Sequence, residues 1–131
     1  MTTTPPRKTF EELKVIADEF LKNHRLGILA TGKRDGSPQQ SILGYRFDGT
    51  NILIQTGDDT AKVKNLRKRP GASLAVTDGP TCVVVYGQAR LLQGAEADEA
   101  FGEPINSARQ RGTPTLIVFA PETYRWARLE G

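Results

Sequence analysis

The dipeptide Asp-Gly occurs at 35–36, 48–49 and 78–79, each time between apolar runs of strand-like composition. Asp-Gly supplies the left-handed backbone that tight hairpin turns require. No other feature restricts the fold as much. It predicts antiparallel strands over 25–31, 37–47 and 51–56, joined as a meander, and a second hairpin over 72–77 and 81–92. Two further strands are predicted over 115–120 and 124–129, separated by a turn at Pro121-Glu122.

Helical segments interrupt these strands. Thr9 and Glu12 have the spacing of a capping box. Phe10, Leu13, Ile16, Phe20 and Leu21 then recur near the helical period, which predicts a helix over 10–24. Thr60 or Asp59 is placed to cap a short helix running to about Arg69, where Pro70 stops it. A third helix is expected over 94–111, broken near Gly102 and Pro104. Residues 1–8 read as a polar tail and residues 9–131 as a single domain. The expected fold is mainly β with helical covers: a small antiparallel barrel of about six or seven strands. Segments 26–31 and 81–86 are apolar on both faces, so one face needs a helix or a second chain to cover it. A homodimer is expected on that ground.

Composition excludes several chemistries. The chain has 131 residues and a net charge of +3, with one cysteine, Cys82, and one histidine, His24. An internal disulfide, a cysteine metal cluster and a histidine pair for zinc are ruled out, and no metal site is expected. His24 reads as a residue closing a helix rather than a haem ligand. Cys82 reads as buried packing. The acidic run from Glu96 to Glu103 reads as a solvated helix face, and its spacing does not suit calcium. There is no apolar run of membrane-spanning length and no signal-peptide core at the start, so a cytoplasmic protein without a membrane partner is expected. Redox chemistry on such a chain requires a borrowed cofactor.

The remaining feature is the stretch Thr60 to Gly71, TAKVKNLRKRPG, with five cations and no acid. On a helix, Val63 and Leu66 form the buried stripe. Lys62 and Lys64 project from different sides and converge only on a point beyond the helix N-terminus, where free N–H groups also aim. An anion there would also meet the Thr60 hydroxyl and the positive end of the helix dipole. Arg67, Lys68 and Arg69 lie in the last turn, where cations suit the helix dipole or a ligand's carboxylates alike. The basic residues elsewhere are interleaved with acids, so nucleic acid is not an expected partner.

Taken in order, RLGILATGKRDGSPQQSILGYRFDG, NILIQTGDDTAKVKNLRKRPGASLAV and the later YGQARL resemble the flavin/deazaflavin oxidoreductase superfamily, the split-barrel group that includes pyridoxamine-phosphate oxidases. The resemblance covers residues 10–129 and is nearest to the actinobacterial subgroup that uses coenzyme F420, a deazaflavin. It implies a homodimer with two cofactor sites at the interface. It implies that Lys62 and Lys64, with Thr60 and Asn65, hold the cofactor phosphate. Ser37, Pro38, Gln39, Gln40 and Ser41 would lie beside the tricyclic ring. Ile54, Gln55 and Thr56 would contribute largely through their backbone. Tyr86, Gln88, Trp126 and Arg128 of the second chain are candidates to complete the pocket. Ala61 departs from the pattern, since those oxidases carry arginine there, and the terminal substrate-binding segment of those oxidases is missing. The implied activity is hydride transfer from reduced F420 to an electron-poor small-molecule acceptor such as an activated C=C bond. FMN is the alternative cofactor, and a non-catalytic flavin- or haem-binding barrel the alternative function. No catalytic side chain is identified.

Overall fold

The computed structural model describes residues 7–129; the expected tail falls almost wholly outside them. Helix α1 spans Phe10–Lys22. Strands β1 (Leu26–Gly32), β2 (Pro38–Gly44), β3 (Arg46–Phe47) and β4 (Ile52–Gly57) follow, then helix α2 (Ala61–Lys68). Strands β5 (Gly71–Asp78) and β6 (Thr81–Leu92), helix α3 (Gly94–Phe101) and the long strand β7 (Pro114–Arg128) complete the order. All seven strands form one curled antiparallel sheet, ordered β2-β1-β5-β6-β7-β4-β3.

Each Asp-Gly pair closes a hairpin. Gly36, Gly49 and Gly79 all have positive φ. At the second turn, Asp48 Oδ1 accepts from the N–H groups of Thr50 and Asn51 at 2.8 and 2.6 Å, which fixes the reversal between β3 and β4. The capping box at Thr9 and Glu12 forms in both directions and starts α1. Ala17 and Leu21, one helical turn apart, are the α1 residues buried in the barrel core.

That core lies inside the curl. Leu29, Ile52, Ile54, Leu74, Val83, Val85, Ile117 and Phe119 point inward from five strands. A smaller cluster lies outside, where Ala97 and Phe101 of α3 cover Leu53, Leu116 and Val118. Strands β4 and β7 are therefore buried on both faces there, whereas the outer face of β1 and β2 is bare. Ile42 is 82% exposed, and its cross-strand partner Ile28 is exposed as well.

Three expectations are corrected. The predicted strand 37–47 is two strands, because Tyr45 leaves the ladder. Its side chain is buried, its hydroxyl donates to the Leu21 carbonyl at 2.9 Å and its N–H to the Arg25 carbonyl at 2.9 Å. The segments 115–120 and 124–129 are one strand, with no turn at Pro121. A register shift opposite Tyr86 and Gly87 absorbs the bend, and Gly87 has no side chain to strike the Ala120 carbonyl. The third helix stops at Phe101, because Gly102 takes a left-handed φ of 86° and its N–H bonds back to the Asp98 carbonyl. Residues 103–113 then run as irregular backbone.

Candidate functional site

The two ends of the sheet are consecutive in the chain. β2 is one edge and β3 the other, and only Tyr45 stands between them. The curl is thus closed by the chain itself, with no ladder between β2 and β4 among the described residues. Below this crossover a seam opens. One lip is the free edge of β2. The other is β4 beyond Leu53, where β3 no longer pairs with it. Unpaired strand edges leave N–H and C=O groups that need water or a ligand.

A cleft of about 720 Å³ runs along this seam. Leu43, Phe47, Leu53 and Phe101 give it apolar walls, and Gln55, Gln110 and Lys62 give it polar groups. Lys22, Arg25 and Arg46 also line it, and no Asp or Glu does. Arg46 is engaged, its guanidinium stacked on Phe101 at 3.9 Å and paired with Glu103 at 2.7 Å.

Lys62 is the unusual residue. It sits in the first turn of α2, is only 7% exposed, and has no hydrogen bond or ion pair among the described residues. Burial pushes its ammonium below the ordinary lysine range, with no neighbouring charge to offset it. The start of α2 adds to this. Thr60 is the N-cap by backbone geometry, but its hydroxyl donates to the Gly57 carbonyl at 2.9 Å and caps nothing. Among the described residues, the first-turn N–H groups have no side-chain acceptor, and the turn holds no acid.

Three other cations of the stretch are held elsewhere, and Lys68 is exposed. Lys64 pairs with Asp59 at 2.9 Å, and Arg67 lies 3.6 Å from Asp58. Arg69 Nε donates to the Gly32 carbonyl at 2.8 Å, and the Asn65 amide donates to the Thr31 hydroxyl at 3.1 Å. These last two bonds fasten α2 to β1, while Val63 and Leu66 bury its inner face. Lys62 and Lys64 do not converge: one enters the seam and the other stays exposed over Asp59. Asp58 and Asp59 lie just ahead of the stretch, a signal present in the sequence.

The remaining candidate residues alternate across the strands. Gln39 and Ser41 share the inner face of β2 with Thr31 and Leu29 opposite, whereas Pro38, Gln40 and Ile42 lie on the bare outer face. Ser37 is bound to Asp35 at the hairpin turn. Ile54 and Thr56 are fully buried inward, which leaves only their backbone to a ligand at the seam. Gln55 lines the cleft, and its Oε1 accepts from the Asn106 N–H at 3.0 Å. Sequence reasoning missed Asn106, Ala108 and Gln110, which lie in what was read as helix. Tyr86 and Gln88 are exposed; the Trp126 ring takes the Lys8 ammonium at 5.3 Å.

His24 and Cys82 are structural. His24 stacks on Phe20 and has both ring nitrogens engaged, with the Phe20 carbonyl at 2.7 Å and Asp78 at 3.1 Å. The carbonyl above all, and then Asp78, raise its pKa. Neither nitrogen is left for a haem iron. Cys82 is half-buried rather than buried. Among the described residues, no cluster of potential metal ligands occurs and no helix is long and apolar enough to cross a membrane.

A family model for pyridoxamine 5'-phosphate oxidase matches residues 15–126. The chain belongs to that family. Solved structures agree in fold. A putative pyridoxamine 5'-phosphate oxidase from Listeria innocua is 21% identical with a TM-score of 0.71, over 88% of this chain and 98% of that one. An F420 reductase is 20% identical with a TM-score of 0.66, over 82% and 94%. An FAD-binding protein from Mesorhizobium loti is 21% identical with a TM-score of 0.71, over 86% and 94%.

Proposed function

We propose that this family member is an F420-dependent reductase, working as a homodimer on an electron-poor small-molecule acceptor. The observation that carries the reading is Lys62: a buried lysine whose ammonium has no partner among the described residues, beside a helix N-terminus without a side-chain cap, in a cleft lined by no Asp or Glu. Such a group is stabilised by an anion of the kind a phosphate-bearing cofactor brings. The residues present fit that group. Lys62 and the first-turn N–H groups of α2 would hold the phosphate. The free edges of β2 and β4 and the Gln55 carboxamide would meet the polar rim of a flat ring, and the apolar walls would exclude water from its face. Lys22 and Arg25, which also line the cleft and have no partner among the described residues, suit the carboxylates of an acidic tail better than Arg67 and Arg69, which already have partners.

The deazaflavin, when bound, supplies the hydride. The chain's own task is to anchor, orient and dry the site, since hydride transfer depends on distance and alignment more than on a side-chain nucleophile. Tyr45 holds no labile proton near neutrality, because burial pushes its hydroxyl up to about 12. The bare outer face of β1 and β2, with Leu26, Ile28 and Ile42 exposed, is the surface on which a second chain would complete the slot.

The test is a pair of titrations of the purified protein with oxidised F420 and with FMN, at low and high salt. We expect F420 to bind more tightly and to weaken with salt. Lys62→Ala should lower its affinity at least tenfold, about 1.4 kcal/mol or more. Lys64→Ala should change it by less than threefold, since Lys64 is committed to Asp59. Unchanged affinity in Lys62→Ala would remove the phosphate assignment. Tighter FMN binding would move the protein to a flavin-dependent oxidoreductase with the same anchor.

A further inference from the structure

Among the polar residues of the cleft, Gln55 is oriented by a segment about fifty residues away in sequence. The Asn106 N–H donates to its Oε1 at 3.0 Å. A carboxamide has two unlike ends, an accepting oxygen and a donating NH2. With the oxygen held, the donating end is what remains, and it has no partner among the described residues.

The segment that supplies this N–H is held in shape at several points. The Ile105 N–H donates to Asp98 Oδ1 at 3.0 Å, the Ala108 N–H to Asn106 Oδ1 at 2.7 Å, and the Gln110 N–H to the Ser107 carbonyl at 2.9 Å. The Asp59 N–H donates to the Arg111 carbonyl at 2.9 Å and ties the far end to the start of α2. Between these bonds Ala108 and Arg109 have φ of 51° and 64°, in the left-handed region that neither residue favours. Two successive residues keep such a backbone only where the surrounding bonds determine it. Ala108 and Gln110 also line the cleft, so the segment that orients Gln55 forms part of the same wall.

We infer that residues 105–110 are a latch that makes Gln55 a dedicated hydrogen-bond donor, so that the group docked beside Lys62 presents an acceptor to it: a ring carbonyl or an unprotonated ring nitrogen. The inference rests on the cofactor reading above for the ring. Gln55 is a binding residue, and Asn106 is a positioning residue that acts through it.

Two variants separate donor from latch. Gln55→Glu keeps an oxygen for the Asn106 N–H but loses the donor while ionised. Gln55→Met loses both. Oxidised F420 and FMN are titrated into each protein between about pH 5 and pH 8, a range that reaches down towards an ordinary glutamate pKa. Gln55→Met is expected to bind about tenfold more weakly at every pH. Gln55→Glu is expected to bind more weakly still at the upper pH and to recover as the carboxyl takes up its proton. In the ligand-free protein, amide exchange followed by NMR should show the Asn106 N–H protected in wild type and Gln55→Glu and unprotected in Gln55→Met. Wild-type affinity in Gln55→Met would overturn the donor assignment. A fast-exchanging Asn106 N–H in wild type would overturn the latch. If wild type binds neither cofactor, the cofactor reading falls and takes the donor assignment with it, while amide exchange still decides the latch.

Discussion

Lys62 carries two opposed consequences. Burial disfavours its charged form, so its folded pKa lies below 10.5. At neutral pH the unliganded protein holds that charge at a cost in stability. As pH rises through the depressed pKa toward 10.5, the folded state sheds the proton first and stability rises. Lys62→Met should therefore raise the Tm of the unliganded protein at pH 7 by a few degrees, of order 1 kcal/mol, and abolish that alkaline rise. Thermal scans between pH 7 and 10 check both. His24 has the opposite sign. Its pKa is raised, so its contribution is complete below about 6.5 and is lost as pH climbs through the folded value. Tm should fall across that window, and Asp78→Asn should flatten the fall; a slope unchanged in Asp78→Asn would assign the effect elsewhere. The identity of these residues was legible in the sequence. Their pairing was legible only in part. Asp58 and Asp59 stand immediately before the cationic stretch, but nothing local says that Lys64 and Arg67 turn back to them while Lys62 turns into the seam.

Elements defined by local chemistry were the readable ones. The Asp-Gly turns, the Thr9–Glu12 capping box and the stop at Pro70 act within four residues, and each forms as the spacing implies. Elements defined by a distant partner were not. β2 ends at Gly44 because Tyr45 bonds to the Arg25 carbonyl and the Leu21 carbonyl, and β7 continues past Pro121 through a bulge of its own at Glu122, opposite Tyr86 and Gly87. That bulge can be tested. A Cβ built on Gly87 would lie 2.0 Å from the Ala120 carbonyl oxygen, a backbone atom that cannot rotate away. Gly87→Ala should destabilise the fold by about 2–3 kcal/mol, measured as a lower denaturant midpoint with the same slope. An unchanged midpoint would mean that β7 can re-register.

At the scale of the molecule, the sequence foretold a barrel with one face to cover. It did not show which face. α3 covers β4 and β7, and the outer side of β1 and β2, with Leu26, Ile28 and Ile42, is left bare. If that bare side is where two chains meet, Ile42→Lys should shift the protein from dimer to monomer in sedimentation at micromolar concentration, with little loss of secondary structure. A monomeric wild type would remove the homodimer. The seam has a consequence of its own. Because the ends of the sheet are joined through Tyr45 and not by a ladder, the gap between them can widen or narrow without breaking a single inter-strand bond. The barrel behaves as a ring with one covalent clasp, and the clasp fixes circumference at one rim only. A molecule docked at the other rim would then meet a wall that can yield, so a change in its thickness need not disturb the strand ladders.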